Sequence, residues 1–245
     1  RQVEGVVHLA GESIASGRWT EAKKARIRDS RVIGTRLLAE GLARLSPPPR
    51  VLVSASAVGL YGSRGDETLT EDSPAGEGFL AEVAREWEAA TGPAADAGIR
   101  VVCLRFGMVL STRGGALKPL LRAFRLGGGA KVGSGDQFLS WVSLPDVVWV
   151  VRHVLEREDL AGPVNVVAPE SVTNAGFTKT LASVLHRPAF LAMPAFAARL
   201  LLGEMADELL LSSAKVEASR LRESGFRFRH SELESALRDL LSTGE

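Results

Sequence analysis

The stretch Val-Leu-Val-Ser-Ala-Ser-Ala-Val-Gly-Leu-Tyr-Gly at residues 51–62 decides how the rest of the chain is interpreted. It begins with an apolar, β-branched run, which is typical of a strand buried on both faces. It then changes to the small hydroxyl residues Ser54 and Ser56 and to glycine. In an open α/β sheet, ligands bind beyond the carboxyl ends of the strands, where small residues let the backbone approach them. The stretch therefore predicts a strand running into a ligand-facing turn. The alternative is a core strand whose hydroxyls face solvent.

The composition limits the classes of protein to consider. A chain of 245 residues can bury a core as one large domain or as two lobes. Its 30 Lys and Arg and 29 Asp and Glu leave a net charge of +1, which favours neither nucleic acid nor a membrane surface as a partner. Cys103 is the only cysteine, so no intrachain disulfide can form, and we expect a reducing, cytoplasmic setting. No apolar run reaches the roughly 18 residues of a membrane span.

Strand and helix patterns alternate along the first two thirds of the chain. Strands are predicted at residues 5–11, 51–56, 100–106 and 164–168, and each of the first three ends in small residues. Helices are predicted over residues 19–45, 77–95, 116–126 and 144–156, and a last helix is predicted to follow a cap at Ser231. Strand–helix alternation with short links predicts a parallel sheet with right-handed crossovers.

Several conspicuous side chains have ordinary structural interpretations. We expect His8 to be a core or hydrogen-bonded histidine, Trp141 to pack, and Asp146 to belong to the cap of a helix. The Lys and Arg residues of the first long helix predict a solvated basic face. Residues 127–135 are rich in glycine but lack the Gly-Lys-Ser/Thr ending of a phosphate loop. No set of metal ligands is predicted.

Six motifs together resemble a known family. They occur in one order: Val-Val-His-Leu-Ala-Gly (6–11), Ser-Ala-Ser-Ala-Val-Gly-Leu-Tyr-Gly (54–62), Arg-Phe-Gly-Met-Val-Leu (105–110), Gly-Ser-Gly-Asp-Gln-Phe (133–138), Trp-Val-Ser-Leu-Pro-Asp (141–146) and Asn-Val-Val-Ala-Pro (165–169). The set resembles the extended short-chain dehydrogenase/reductases, and more closely their atypical branch of epimerase-family, NAD-dependent epimerase/dehydratase-like proteins. Leu-Ala-Gly-Glu (9–12), Ser30-Arg31, Trp87-Glu88 and Thr173-Asn174 strengthen the narrower match.

The resemblance implies a fold and a division of the chain. The fold is α/β, a Rossmann-like doubly wound parallel sheet with a smaller, mostly helical C-terminal lobe. Residues 1–110, with 145–170 returning to them, would form the remainder of the NADP-binding domain, and residues 111–144 and 171–245 would form a substrate lobe. The family's first strands and its Gly-x-x-Gly-x-x-Gly pyrophosphate loop have no counterpart in the sequence, which we expect to begin within that domain.

The resemblance also implies a cofactor site for NADP. Its residues would be the backbone of three residues at the end of the first strand, two residues of the central strand, a turn that packs on the nicotinamide, and an arginine where typical members carry asparagine. These are Leu9, Ala10, Gly11, Ser54, Ala55, Gly107, Met108, Val109 and Arg31. A guanidinium at Arg31 can bond cofactor oxygens bidentately. A plain surface charge is the alternative interpretation.

The residues available for catalysis differ from those of typical members, which use Tyr-x-x-x-Lys for acid–base transfer. The only tyrosine is Tyr61, and the residue four positions on is Gly65. The predicted helix carries Phe79 with Val83, or Leu80 with Ala84, neither of which exchanges a proton. By resemblance Ser56 matches the catalytic serine. Tyr61, on the neighbouring turn, could orient a carbonyl.

Two functions follow from this pattern. The first is an NADP(H)-dependent oxidoreductase or nucleotide-sugar epimerase-like enzyme that works on a small-molecule substrate without the Tyr/Lys pair. The second is a cofactor-binding sensor or interaction protein with little or no turnover. A homodimer is left open by the sequence.

Overall fold

The computed structural model describes residues 3–242 of the chain. Its strands are β1 (Gly5–His8), β2 (Val51–Ala57), β3 (Thr68–Leu69), β4 (Arg100–Phe106), β5 (Met108–Leu110), β6 (Ala130–Val132), β7 (Phe138–Leu139), β8 (Trp141–Ser143), β9 (Gly162–Val166), β10 (Val172–Thr173), β11 (Leu191–Met193) and β12 (Lys215–Val216). Its helices are α1 (Glu21–Ala43), α2 (Phe79–Ala89), α3 (Gly92–Asp96), α4 (Leu117–Arg125), α5 (Leu144–Glu156), α6 (Asn174–Val184), α7 (Ala195–Leu202), α8 (Glu204–Ala206), α9 (Ser219–Glu223) and α10 (Leu233–Ser242).

Four parallel strands form the main sheet in the order β1-β2-β4-β9. The register places His8 beside Ser54, and Ser56 beside Arg105. All four carboxyl ends therefore point to one edge of the sheet, as the alternation of strands and helices predicted. Among the described residues, the other four sheets have two strands each; β10 and β7 pair antiparallel, and the other three pairs are parallel.

Alternate residues of β2 enter two separate apolar clusters, one on each face of the sheet. Val51 and Val53 pack with the buried valines of α5, whereas Leu52 packs with Ala39 and Leu42 of α1 and with α3. This is why the strand is apolar along its whole first half: both faces are covered by helices. The α/β, doubly wound fold class predicted from the sequence is confirmed.

The helix boundaries show which of the predicted caps form. Ser143 accepts a hydrogen bond from the amide of Asp146 and opens α5, as the capping pattern predicted. The first amide of α10, that of Leu233, instead donates to Oε2 of Glu170 at 2.7 Å. The cap predicted at Ser231 stays a prediction, and the carboxylate of Glu170 adds a contact from a residue distant in sequence. Local patterns do not reveal such a partner.

The predicted second long helix divides into α2 and α3, and α1 leaves two of its large apolar residues exposed. The buried positions of α1 include Ile27, Thr35 and Ala39, whereas Ile33 and Leu37 are 52% and 64% exposed. The actual contact face is set by small residues, which let α1 approach the sheet and α3 closely.

A further apolar cluster joins the segments outside the main sheet. It contains Leu117, Trp141, Phe177 and Leu237 and so links α4, β8, α6 and α10. The division of the chain into two lobes stays a proposal, and this cluster supports it. The C-terminal part divides differently, however, because β12 pairs with β3 and Leu221 of α9 packs against the main sheet.

None of the helices described between residues 3 and 242 is long and apolar enough to cross a membrane.

Candidate functional site

The predicted cofactor residues meet at the carboxyl edge of the main sheet. After β1, Leu9, Ala10 and Gly11 are all exposed. The register that sets His8 against Ser54 puts the turn level with Ala55 of the neighbouring strand. Ser54 and Ala55 are buried, and Met108 and Val109, which follow β4, are half-buried. The edge therefore offers an accessible backbone turn next to small side chains, the kind of surface that a flat cofactor requires.

Arg31 lies directly beneath this turn. A Cβ added to Gly11 would lie 3.2 Å from Cζ of Arg31, so the guanidinium packs against the glycine itself. On its other side the guanidinium lies 5.0 Å from the ring centroid of Trp87, a cation–π contact. Its Nη1 donates to the carbonyl oxygens of Glu12 and Ile27 at 3.0 and 3.1 Å. Burial lowers the pKa of Arg31. Arg31 is thus part of the support of the turn.

A second cation of α1 also holds this segment. Nζ of Lys23 donates to Oε1 of Glu12 at 2.6 Å and to Oγ of Ser16 at 2.7 Å, and Lys23 is only 4% exposed. The hydrogen bond from Lys23 and its charge lower the pKa of Glu12. The predicted solvated basic face of α1 is therefore wrong at Lys23. Its partner, Glu12, lies in the turn after β1, so the spacing of residues along the helix could not reveal the pair.

His8 has the structural role predicted for it. Its Nε2 lies 3.0 Å from Oγ1 of Thr35, and the same hydroxyl accepts a hydrogen bond from Nε1 of Trp87 at 2.9 Å. Burial lowers the pKa of His8, which favours the neutral imidazole. These contacts fix β1 and α2 on α1 without using a ligand.

The hydroxyl of Ser56 belongs to a buried polar network centred on Glu88 of α2. Oγ of Ser56 donates to Oε1 of Glu88 at 2.6 Å. Arg105 of β4 pairs with the same carboxylate through Nε and Nη2, at 2.8 and 2.9 Å. Burial acts to lower the pKa of Arg105, but the hydrogen bond and charge of Glu88 outweigh it and raise that pKa above its ordinary value. The network joins two neighbouring strands to the helix.

Tyr61 lies at the other end of the same network. It is fully buried; its hydroxyl donates to Oδ1 of Asn165 at 2.7 Å and accepts from Nη1 of Arg105 at 2.9 Å. Burial raises the pKa of Tyr61, which Arg105 offsets only in part. The phenol therefore stays protonated at neutral pH. Sequence patterning put this hydroxyl on a ligand-facing turn, whereas the structure turns it into the interior.

Glu71 completes the buried polar region. Its Oε1 accepts from the amides of Asn165 and Arg220 at 3.1 and 3.2 Å, and its backbone oxygen accepts from Arg105. Its Oε2 has no hydrogen-bond partner among the residues that the structure describes. The three elements involved, β4, β9 and α9, are brought together over large distances in sequence. That is why Glu71 was not found by motif reasoning.

Gly107 is required by a close contact of the backbone. A Cβ at this position would lie 2.5 Å from the carbonyl oxygen of Ser140, and the amide of Met108 donates to that same oxygen at 2.8 Å. The chain passes here from the main sheet to β5, which pairs with β8. The glycine thus lets two strand connections touch. Its predicted contact with nicotinamide stays a prediction.

Helix α2, on which the resemblance places the family's tyrosine and lysine, begins with packing residues. The rings of Phe79 and Trp19 pack edge to face, with 5.3 Å between their centroids. Nζ of Lys24 lies 4.8 Å from the centroid of the Phe79 ring. The carboxylate of Glu208 accepts from the amides of Phe79 and Leu80 at 3.0 and 3.3 Å and caps α2. The start of α2 is therefore occupied by an aromatic cluster and a distant carboxylate.

Two members of the buried network, Glu88 and Arg105, lie in motifs of the sequence analysis that assigned them no role. Trp87-Glu88 and the Arg105 segment were both among the motifs that carried the family resemblance. A glutamate on an otherwise apolar helix face and an arginine within a buried strand each need a partner of opposite charge. That pattern could have predicted the Glu88–Arg105 pair; Asn165 and Glu71 had no comparable signal.

Comparisons with known proteins agree with this geometry. The sequence model of the NAD dependent epimerase/dehydratase family matches residues 1–168, and that of a domain of unknown function, DUF1731, matches residues 193–240. Epimerase family protein Mb2239 of Mycobacterium bovis is 42% identical over 96% of this chain and 77% of its own length. Epimerase family protein YfhF of Bacillus subtilis is 38% identical over 96% of this chain and 77% of its own.

Solved structures give the same family. The crystal structure of human epimerase family protein SDR39U1 (isoform 2) with NADPH superimposes with a TM-score of 0.94 at 34% identity, over 99% of this chain and 83% of that one. A nucleoside-diphosphate sugar epimerase from Corynebacterium glutamicum superimposes with a TM-score of 0.78 at 38% identity, over 97% of this chain and 46% of that one. The match of the family model to most of the chain, together with these relatives, shows that the protein belongs to the NAD-dependent epimerase/dehydratase family, in its atypical SDR39U1-like branch.

Proposed function

We propose that this protein binds NADP(H) at the carboxyl edge of the main sheet. The observation that carries the proposal is the fit of the chain, over 99% of its length, to a structure with NADPH, that of human SDR39U1. The residues present suit the cofactor. Leu9, Ala10 and Gly11 form an exposed turn that ends in small residues. Arg31 fills the space where a side chain on Gly11 would project. The bound cofactor would supply hydride transfer.

The roles of this chain's own residues follow from their contacts. The backbone of Leu9, Ala10 and Gly11 binds, and Arg31 holds the turn in place from below while offering its remaining N–H groups to cofactor oxygens. Ser54 and Ala55 form the small-residue floor beside the turn. Met108 and Val109 close the edge on the side of β4, where they exclude water from the reacting face.

We propose that the chemistry is that of an oxidoreductase or a nucleotide-sugar epimerase-like enzyme without the Tyr-x-x-x-Lys pair. Ser56 is the better candidate to meet a substrate oxygen. It is 3% exposed near the end of β2, and the residues that follow it, Ala57 and Val58, are half-buried, whereas Tyr61 is fully buried. To donate to a substrate, Ser56 must release Glu88, and Tyr61 must release Asn165. Both steps break charge-assisted or buried hydrogen bonds, so turnover is slow.

A second candidate is an NADP(H)-binding sensor without turnover. It is favoured by one observation: both candidate hydroxyls are engaged in the interior, and Phe79 and Leu80 begin α2. The two candidates differ in a single measurement. With NADPH saturating, an oxidoreductase reduces a carbonyl substrate, and with NADP⁺ saturating, an epimerase interconverts two sugar nucleotides by taking up a hydride and returning it. In either case we expect Ser56→Ala to lower the rate more than Tyr61→Phe does. A sensor gives no turnover with any of these substrates.

Cofactor binding itself is tested by fluorescence titration of NADPH into the protein and into two arginine variants. We expect saturable binding that Arg31→Ala weakens about tenfold, the loss of roughly one charge-assisted hydrogen bond. Arg36→Ala is the matched control, since Arg36 is exposed on the same helix. Absence of saturable binding by the unaltered protein would overturn the cofactor assignment. Equal affinities for Arg31→Ala and Arg36→Ala would remove Arg31 from the site.

A further inference from the structure

A second concave surface lies outside the main sheet. It is a groove of about 400 Å³ between β6, α6 and the segment that leads into β11, and none of its lining residues belongs to the carboxyl edge of the main sheet. Its walls carry the methyl groups of three alanines and the ring of Phe190, which is 93% exposed. The volume lies within the range of small-molecule sites.

Three cations from three separate elements line this groove. They are Lys131 of β6, Lys179 of α6 and Arg187 of the following segment. No acidic residue lines the groove, and within residues 3–242 none of the three is ion-paired. Nζ of Lys131 donates to the carbonyl oxygen of Ser134 at 3.1 Å, which leaves two of its three N–H groups. Unpaired cations facing one cavity repel each other, so an anion there stabilises the arrangement.

The surrounding sequence concentrates this charge. Residues 111–144 and 171–203 contain a single acid, Asp136, and eight Lys and Arg, although the whole chain has a net charge of only +1. The eight are Arg113, Lys118, Arg122, Arg125, Lys131, Lys179, Arg187 and Arg199, of which Arg199 is neutralised by an ion pair with Asp207. A cleft lined by one sign of charge focuses the field and raises the local concentration of the opposite ion.

The backbone that presents Arg187 is unusual. Helix α6 ends with the amides of His186 and Arg187 donating to the carbonyl oxygens of Ser183 and Ala182, a Schellman motif. His186 occupies the left-handed position of this motif, with φ of 52°, where glycine is the ordinary residue. His186 is the one non-glycine residue with positive φ between residues 3 and 242. Its conformation turns the chain so that Arg187 lines the groove instead of continuing along the helix.

We propose that this groove binds a phosphorylated small molecule with a flat ring. The phosphate lies among Lys131, Lys179 and Arg187, whose guanidinium can bind two of its oxygens at once. The ring lies against Phe190 and the alanine methyl groups, where an apolar surface is already exposed. The site is separate from the proposed cofactor site and does not depend on it.

The test uses 1-naphthyl phosphate as a fluorescent probe, with NADPH saturating so that the cofactor site cannot account for the signal. We expect the anisotropy of the probe to rise with saturable binding, and inorganic phosphate to compete. Arg187→Ala and Lys179→Ala should each weaken binding about tenfold. Lys118→Ala is the matched control, because Lys118 is an exposed cation on α4 that does not line the groove.

Three results would overturn the proposal. One is that the probe does not bind while NADPH is saturating. A second is that Lys118→Ala weakens binding as much as Arg187→Ala, which would show diffuse attraction by the basic surface. A third comes from sedimentation with vesicles of phosphatidylglycerol: binding to vesicles that Arg187→Ala abolishes, without binding of the free probe, would assign the groove to a lipid headgroup. Unchanged circular dichroism spectra of the variants confirm that they fold.

Discussion

At the scale of single residues, Glu88 connects the proposed site to the core. One carboxylate oxygen accepts from both Ser56 and Arg105, and the other accepts a second bond from Arg105. The side chains of Arg105 and Glu88 are only 8% and 18% exposed. Removing both charges from water is costly, and several hydrogen bonds offset that cost. Such a pair destabilises the protein when one partner is removed, because the other charge stays buried without a counter-charge.

We therefore expect Glu88→Gln to destabilise the protein by about 3 kcal/mol, because the guanidinium of Arg105 would stay buried without a counter-charge. Urea unfolding followed by circular dichroism measures this change. The control is Glu156→Gln in the exposed pair Arg152–Glu156, for which we expect a change within about 0.5 kcal/mol. If the two variants unfold at the same urea concentration, the buried Glu88–Arg105 pair contributes no more to the free energy of unfolding than the exposed pair does.

Residues whose partners lie nearby in sequence were the ones that could be predicted. The cap formed by Ser143 and Asp146 spans three residues and follows a known pattern, and Trp141 was recognised as a packing residue. Lys23 was misjudged because its partner, Glu12, lies in a turn rather than on its helix. Tyr61 was misjudged because Asn165, more than a hundred positions away, decides where its hydroxyl points.

At the scale of elements, glycines show which backbone positions the fold restricts. Helix α1 contains Gly34, where an added Cβ would have open space. Gly78, which precedes α2, has φ of 107°, and an added Cβ would collide with the carboxylate of Glu208 that caps the helix. The same residue type is therefore dispensable inside one helix and required at the start of another.

We therefore expect alanine to have opposite effects on stability at these two positions. Gly34→Ala should stabilise the protein by about 0.5–1 kcal/mol, because alanine loses less backbone entropy on forming a helix. Gly78→Ala should destabilise it by more than about 1 kcal/mol, because the backbone conformation is unfavourable for alanine and Glu208 must move. Thermal unfolding of the two variants beside the unaltered protein measures both. A stabilised Gly78→Ala variant would show that Glu208 does not need the space at this position.

At the scale of the whole molecule, the main sheet was predictable and the packing of the last third was not. Each strand of the main sheet is a short apolar run that ends in small residues, so local pattern is enough to recognise it. The two-residue strands β3 and β12 have no such pattern, and they exist because residues 68–69 and 215–216 pair with each other. The Schellman turn at His186 could not be foreseen because histidine stands where glycine would have indicated the end of the helix. The groove beside it brings Lys131 together with residues 175–191, which spacing does not reveal.

One buried thiol contributes to the stability of the whole molecule at alkaline pH. Cys103 is 6% exposed on β4, between β2 and β9, and burial raises the pKa of its thiol to about 12 from an ordinary value of 9. The unfolded chain ionises first, so the stability that this group contributes is complete below pH 9 and is lost as the pH rises from 9 towards 12. At pH 10 the loss is about 1.4 kcal/mol.

Urea unfolding at pH 7.5, 9 and 10 should show this loss in the unaltered protein and not in Cys103→Ala. Because the variant also loses packing, the comparison is between the pH slopes of the two proteins rather than their absolute stabilities. Burial also raises the pKa of Tyr61, but that group is common to both proteins and cancels in the difference. We expect the unaltered protein to lose about 1.4 kcal/mol more than the variant between pH 7.5 and 10. Parallel slopes would mean that the thiol is hydrated in the folded state and that β4 is less tightly covered than its neighbours indicate.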